Sequence, residues 1–256
     1  MYIVENPEFK DGLDGSRYGE RMGKEISKKI PAAWFRYNGS RIAIVGRPQS
    51  GKSHLVSSLI TGTKPKIYRQ RFHKIYILMP EESYQSLEPN PYEELAERGQ
   101  VFHSLDDLSE IYELLKENAR RSRTSLLFID DFGSDLHSGG SLVWLTKMLT
   151  KSRHLRTMIM LALQSPMQMI KEHRRMLNGL VLFEPARDDY YAIMNEKLGR
   201  HKPEYWDEIH RLAYDRAHSY LTINLEDGGA PRLYVRSHRL MLEDYNEVEE
   251  ENKNDT

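Results

Sequence analysis

The sequence predicts an α/β fold in which a mostly parallel sheet carries helices on both faces. Three observations point to it. Apolar runs of four to six residues recur along the chain: Ile42-Ala43-Ile44-Val45, Leu126-Leu127-Phe128-Ile129, Met158 to Leu163 and Leu180-Val181-Leu182-Phe183 among them. They are short and do not alternate with polar residues, as befits strands buried on both faces. Stretches with helical spacing separate them, the pattern of a parallel sheet with crossover helices. The third observation is Gly46-Arg47-Pro48-Gln49-Ser50-Gly51-Lys52-Ser53. It fits the phosphate-loop pattern G-x-x-x-x-G-K-[ST] at every fixed position and lies between the first of those strands and a helix-like run, the context the motif requires.

Taken in order, residues 1–38 hold glycines, basic residues and Pro31-Ala32-Ala33-Trp34-Phe35, with little periodicity. They read as an arm packing on the main domain or on a neighbouring subunit, or as a partly disordered leader. A strand over 41–45, the phosphate loop and a helix over 52–61 come after it. A basic connector, Thr63 to Lys74, leads to the apolar run Ile75-Tyr76-Ile77-Leu78-Met79, stopped by Pro80. Residues 81–99, rich in Pro and Glu, read as a loop with one short helix, and Val101-Phe102 as a short strand. Leu105, Leu108, Ile111, Tyr112 and Leu115 recur at helical spacing, giving a helix over about 105–121. The strand at 126–129 ends in Asp130-Asp131, and Gly139-Gly140 opens a helix to Lys151. A strand over 158–163 runs into Gln164-Ser165-Pro166. A helix over 167–176, a strand over 180–183 and helices over 188–198 and 203–216 come next. The runs 220–225 and 232–235 read as a hairpin turning at Asp227-Gly228-Gly229. The division expected is an arm (1–38), a phosphate-loop ATPase domain (39–240) and an acidic tail (241–256) with the composition of a disordered segment.

Composition sets the outer limits. A chain of 256 residues with 39% hydrophobic content can bury a substantial core. No apolar run is long enough for a membrane-spanning helix, and the first residues lack a signal-peptide pattern, so neither membrane nor secretory path is expected. Cysteine is absent, which excludes disulfides and thiolate metal sites and suits a reducing compartment. The net charge of −1 hides an asymmetry: Glu243 to Thr256 carries −6, leaving +5 for the rest. Basic clusters within that remainder suit an anionic partner as well as a solvated face.

The residue types of the motif dictate its chemistry. Gly46 and Gly51 let the backbone turn so that the N–H groups of Arg47, Pro48-Gln49 and Ser50 onwards close on phosphate oxygens, proline itself having none to give. The positive end of the helix beginning with Lys52, Ser53 and His54 adds to that field. Lys52 would reach the β- and γ-phosphates of a nucleoside triphosphate and Ser53 would ligate Mg²⁺. At the strand end downstream, Asp130 would hold the same Mg²⁺ and Asp131 would orient or deprotonate the attacking water. A glutamate more often fills that role, and an aspartate reaches less far. Strand ends of open α/β sheets form one edge, where ligands bind. Gln164, ending the next strand, is placed for its amide to touch both γ-phosphate and water.

Gly46–Ser53, the run Leu126-Leu127-Phe128-Ile129-Asp130-Asp131-Phe132-Gly133, and Lys151-Ser152-Arg153-His154 before an apolar strand ending in Gln164-Ser165 occur in one order. In this the chain resembles the FtsK–HerA superfamily of P-loop NTPases, with their RecA/ASCE-like fold. Within it the resemblance is to the compact genome-packaging ATPases of poxviruses, other large DNA viruses and virophages, and it covers roughly residues 40–185. It implies an ATP-hydrolysing, Mg²⁺-dependent ring of five or six subunits that drives double-stranded DNA into a preformed capsid. It further implies a capsid or portal partner and a place in the host cytoplasm or the virion. Ring ATPases of this kind use an arginine to stabilise charge at a neighbour's γ-phosphate. Arg153 is the leading candidate, ahead of Arg187 and Arg123. DNA contact would be sequence-independent, through basic segments such as 64–74 and 171–175.

Other tasks suit the same loop. A helicase loader or transposition ATPase of the AAA+ type would more often carry Asn at Gln164 and a C-terminal lid with a sensor arginine, which is not evident. A nucleoside kinase would need an arginine-bearing lid and an acceptor pocket. A nucleotide switch would bind without turnover.

Overall fold

The structure, a computed structural model, describes residues 1–4, 35, 38–62, 67, 68, 70–225, 231–236 and 238–241. Its ten strands form one sheet. The central six are parallel and lie side by side as β7 (Gly179–Phe183), β2 (Arg41–Val45), β6 (Thr157–Leu163), β5 (Ser125–Ile129), β3 (Lys74–Leu78) and β4 (Val101–Phe102). The flank beyond β7 is antiparallel throughout: β8 (Tyr220–Asn224), β9 (Arg232–Val235), β10 (His238–Met241) and β1 (Tyr2–Val4). The full order is β1-β10-β9-β8-β7-β2-β6-β5-β3-β4.

Strand periodicity splits the core into two layers. From β2, Ala43 and Val45 face one layer while Ile42 and Ile44 face the other. Helix α1 (Lys52–Thr61) covers the second face with Leu55, Val56, Leu59 and Ile60. Helices α4 (Leu108–Arg120), α5 (Gly139–Lys151), α7 (Arg187–Leu198) and α8 (Pro203–Ala213) cover the first. The expected α/β fold with helices on both faces is thus the one formed, with the expected C-terminal hairpin as β8 and β9. The turn of that hairpin lies outside the described residues.

Several boundaries move for local reasons. The segment 81–99 carries two short helices, α2 (Glu81–Gln85) and α3 (Glu93–Ala96). The expected helix over 105–121 opens as a 3₁₀ turn, Leu105–Asp107, because Ser104 and Asp107 cap each other. The expected helix over 167–176 is broken. Ser165 and Gln168 close a capping box around a 3₁₀ turn, Met169 and Ile170 turn extended, and α6 spans only Lys171–Met176. Residues 2–4, read as part of the arm, form an edge strand against β10. Phe35 is fully buried, its N–H donating to the Tyr68 hydroxyl at 3.1 Å and its carbonyl accepting from the same group at 3.0 Å. The rest of the arm and the acidic tail lie outside the described residues. Among those described, no helix is long and apolar enough to cross a membrane.

Candidate nucleotide-binding site

The order β2-β6-β5 places the phosphate loop, Gln164 and Asp130-Asp131 on adjacent strand ends, roughly 5 Å apart from strand to strand. The β2–β6 ladder continues into the loop, with Gly46 N–H donating to the Leu163 carbonyl at 3.0 Å. A Cβ on residue 46 would stand 2.5 Å from Ser50 Oγ and 2.6 Å from Phe183 Cβ, so only glycine lets the loop close here. Gln49 (φ 62°) and Gly51 (φ 104°) are left-handed, and this alternation turns successive N–H groups inward as an anion-binding concavity. Gly51 also caps α1, whose N-terminus adds positive potential.

Lys52 folds over that concavity, its Nζ donating to the carbonyls of Gly46 at 2.6 Å and Arg47 at 3.0 Å. Burial draws its pKa below the ordinary lysine value, opposed by the negative charges of Asp130 and Asp131. Ser53 Oγ donates to Asp130 Oδ2 at 2.8 Å, joining the two motifs across 77 residues of sequence. Asp130 is buried, and that burial raises its pKa; the Ser53 hydrogen bond and Lys52 pull it back, while Asp131 adds to the rise. A hydroxyl and a carboxylate converging this closely suit Mg²⁺, which is held through one or two protein oxygens together with phosphate oxygens and water. Asp131 is exposed and left-handed at φ 62°, and its Oδ2 accepts from Ser83 Oγ at 2.6 Å. Gln164 is exposed at the end of β6, its backbone N–H held by Gln168 Oε1 at 2.8 Å. The next residue, Ser165, donates to Asp189 Oδ2 at 2.5 Å. A cleft of about 400 Å³ opens among these groups, walled by Gln49, Lys52, Asp130, Asp131, Ser83 and Gln164.

Of the predicted residues, Arg47, Pro48, Gln49 and His54 stand exposed around the loop. Arg153 does not join the site in its own chain. It lies in the turn before β6, anchored where Ser152 Oγ donates to the Gly39 carbonyl ahead of β2. That is the opposite edge of the sheet, roughly 20 Å along β6 from Gln164. Arg123, before β5, shares that edge. Arg187 opens α7 on the nucleotide edge, where it pairs with Asp207 at 2.8 Å and donates to the Tyr191 hydroxyl. Arg174, in the basic segment 171–175, is tied internally to Glu196 at 2.9 Å and to the Met169 carbonyl at 2.6 Å, whereas Lys171 and Arg175 are exposed. In the connector 64–74, Lys64, Lys66 and Arg69 lie outside the described residues. Sequence reading missed Ser83, Gln168, Asp189 and His218, which the fold delivers to this edge. Only Ser165 and Gln168, spaced as a capping box, carried a signal that could have been read.

The sheet order, the loop and the paired aspartates define a P-loop NTPase. The match to the family model for the poxvirus A32 protein spans residues 31–202, and the chain belongs to that family. No curated protein sequence matches the chain. Among solved structures, the chain is similar to the genome-packaging NTPase B204 of Sulfolobus turreted icosahedral virus 2. Its complex with AMP superposes at a TM-score of 0.57 with 16% identity, covering 80% of this chain and 100% of that one. Its complex with ATP-gammaS gives 0.54 and 15%, covering 77% and 97%. EssC (ATPases 2 and 3) of Geobacillus thermodenitrificans gives 0.50 and 12%, covering 83% of this chain and 42% of that one. At such identities these structures establish the fold.

Proposed function

We propose that this protein is the ATP-hydrolysing motor of viral genome packaging, acting on double-stranded DNA. The observation that carries the chemistry is the Ser53–Asp130 contact at 2.8 Å, with Lys52, Asp131 and Gln164 around one cleft. Family membership and the B204 fold support the task. The loop N–H groups and Lys52 bind the phosphates and neutralise their charge, and Lys52 exchanges its two loop carbonyls for phosphate oxygens as it does so. Ser53 and Asp130 would hold Mg²⁺, which supplies charge neutralisation across the β- and γ-phosphates when bound. Asp131 orients a water for in-line attack on the γ-phosphorus and takes up its proton while the bond to the β–γ bridging oxygen breaks and ADP leaves, and the Gln164 amide positions that water against the γ-phosphate.

The protein works as a ring of five or six copies around DNA, with a capsid or portal component beside it in the host cytoplasm or the virion. Arg153 then serves in trans, reaching a neighbour's nucleotide from the edge opposite its own. Lys171 and Arg175 are exposed for phosphate contacts, and Arg174 is not. The test is steady-state ATP hydrolysis by the full chain with and without long double-stranded DNA, over a salt series. Expected are stimulation independent of DNA sequence, steep weakening with salt, near-complete loss in Lys52→Ala, and a fall of roughly a thousandfold or more in Arg153→Ala. Turnover indifferent to DNA, or switched on by a nucleoside acceptor, contradicts the reading.

A further inference from the structure

The cleft accounts for only half of a nucleotide. Its walls run from the phosphate loop to Gln164, Asp131 and Ser83, all on the β6-β5-β3 side of the loop. The metal and water groups mark that side as the γ end. The loop and α1 hold the middle of a triphosphate, so the α-phosphate and nucleoside must leave on the other side, over β7 and β8.

One piece of the chain rises there. The connection between α8 and β8 brings His218 against the phosphate loop, its Nδ1 3.1 Å from the Ser50 carbonyl. A Cβ on Gly51 would sit 3.7 Å from that nitrogen and 3.5 Å from Phe183 Cε1. His218 is exposed and left-handed at φ 58°, a conformation that persists only where the surroundings fix it. They do so from two sides. Arg236, at the end of β9, pairs with Asp215 and donates to Ser219 Oγ at 3.3 Å. Tyr214 donates to the Leu182 carbonyl at 3.0 Å, pinning the start of the connection to β7. With Nδ1 donating to the Ser50 carbonyl, the neutral ring keeps Nε2 as an acceptor on this exposed side chain.

The geometry points to the Asp215–Ser219 loop as the nucleoside wall of the site, with His218 the side chain that meets the ribose or base. This rests on the nucleotide-binding reading above and adds a specificity-determining contact to it. Nε2 accepts from a ribose hydroxyl or an exocyclic amine, and the flat ring offers a face to the base. The antiparallel flank, which adds nothing to the phosphate half, thereby acquires a role in binding.

The test separates the two halves of the ligand. Binding of ATP-gammaS and of inorganic tripolyphosphate, each with Mg²⁺, is measured calorimetrically on the full chain, wild type beside His218→Asn. Asparagine tolerates the left-handed backbone, so the loop is kept while the ring is lost. Expected is roughly tenfold weaker binding of ATP-gammaS, the size of one lost contact, with tripolyphosphate unchanged. Unchanged tripolyphosphate binding also reports an intact loop and fold. Equal weakening of both ligands would mean that His218 only shapes the loop through Ser50, and no weakening of either would mean no contact; both overturn the inference. A wild type that binds neither ligand overturns the nucleotide reading itself, and this inference with it.

Discussion

Asp130 shows at the scale of one residue how function is set against stability. Its carboxylate is buried beside Asp131, and burial raises its pKa above the ordinary 3.8. The native state therefore holds the proton more tightly than the unfolded chain. That stabilising contribution is complete below about pH 3.8 and is lost as pH rises through the raised native value. At neutral pH the charge is a cost, one that the proposed Mg²⁺ site would require. Asp130→Asn is expected to raise the nucleotide-free melting temperature while abolishing hydrolysis; a lower melting temperature in calorimetry contradicts the assignment. The residues legible in the sequence were those in contiguous motifs. Lys52, Ser53, Asp130 and Asp131 announce themselves because a phosphate needs a fixed loop and a strand end fixes the residues just beyond it. Ser83 and His218 do not. Each reaches the site through a fold contact, across 48 and 168 residues respectively, and a lone serine or histidine carries no pattern.

At the scale of elements, the buried parallel strands were readable because burial on both faces leaves unbroken apolar runs. The outermost strands of the antiparallel flank, β1 and β10, were not, since short strands far from the doubly covered centre need no such run. The helix expected over 167–176 failed because Ser165 and Gln168 hydrogen-bond to their own backbone in place of a helix. The same turn holds Gln164, through Gln168 at its N–H and Asp189 at the following serine. If Gln164 acts as proposed, Asp189, on α7, positions it through Ser165. Asp189→Ala is expected to lower kcat by about tenfold with KM little changed, since the γ-phosphate contact tightens in the transition state; Asp189→Asn, which still accepts from Ser165, should restore most of it. A rise in KM alone would show that the contact serves binding instead.

For the molecule as a whole, the sheet divides its labour. The parallel half presents one edge of loops carrying the groups proposed to hold phosphate, metal and water, and the antiparallel flank extends that sheet past β7 to β1. Arg123 and Arg153 lie on the edge opposite the aspartates, so in the proposed ring they would face the next copy's nucleotide. That opposition follows from the strands being parallel: Arg123 and Arg153 precede β5 and β6, whereas Asp130 and Gln164 follow them. The motor reading stands or falls on whether Asp131 activates water at this cleft. The deciding measurement is ATP turnover by Asp131→Asn on long double-stranded DNA, beside its affinity for ATP-gammaS. Water activation by Asp131 requires affinity close to wild type with turnover down by a hundredfold or more, roughly the contribution of a general base. Turnover near the wild-type rate would place the water-activating group elsewhere and contradict the reading.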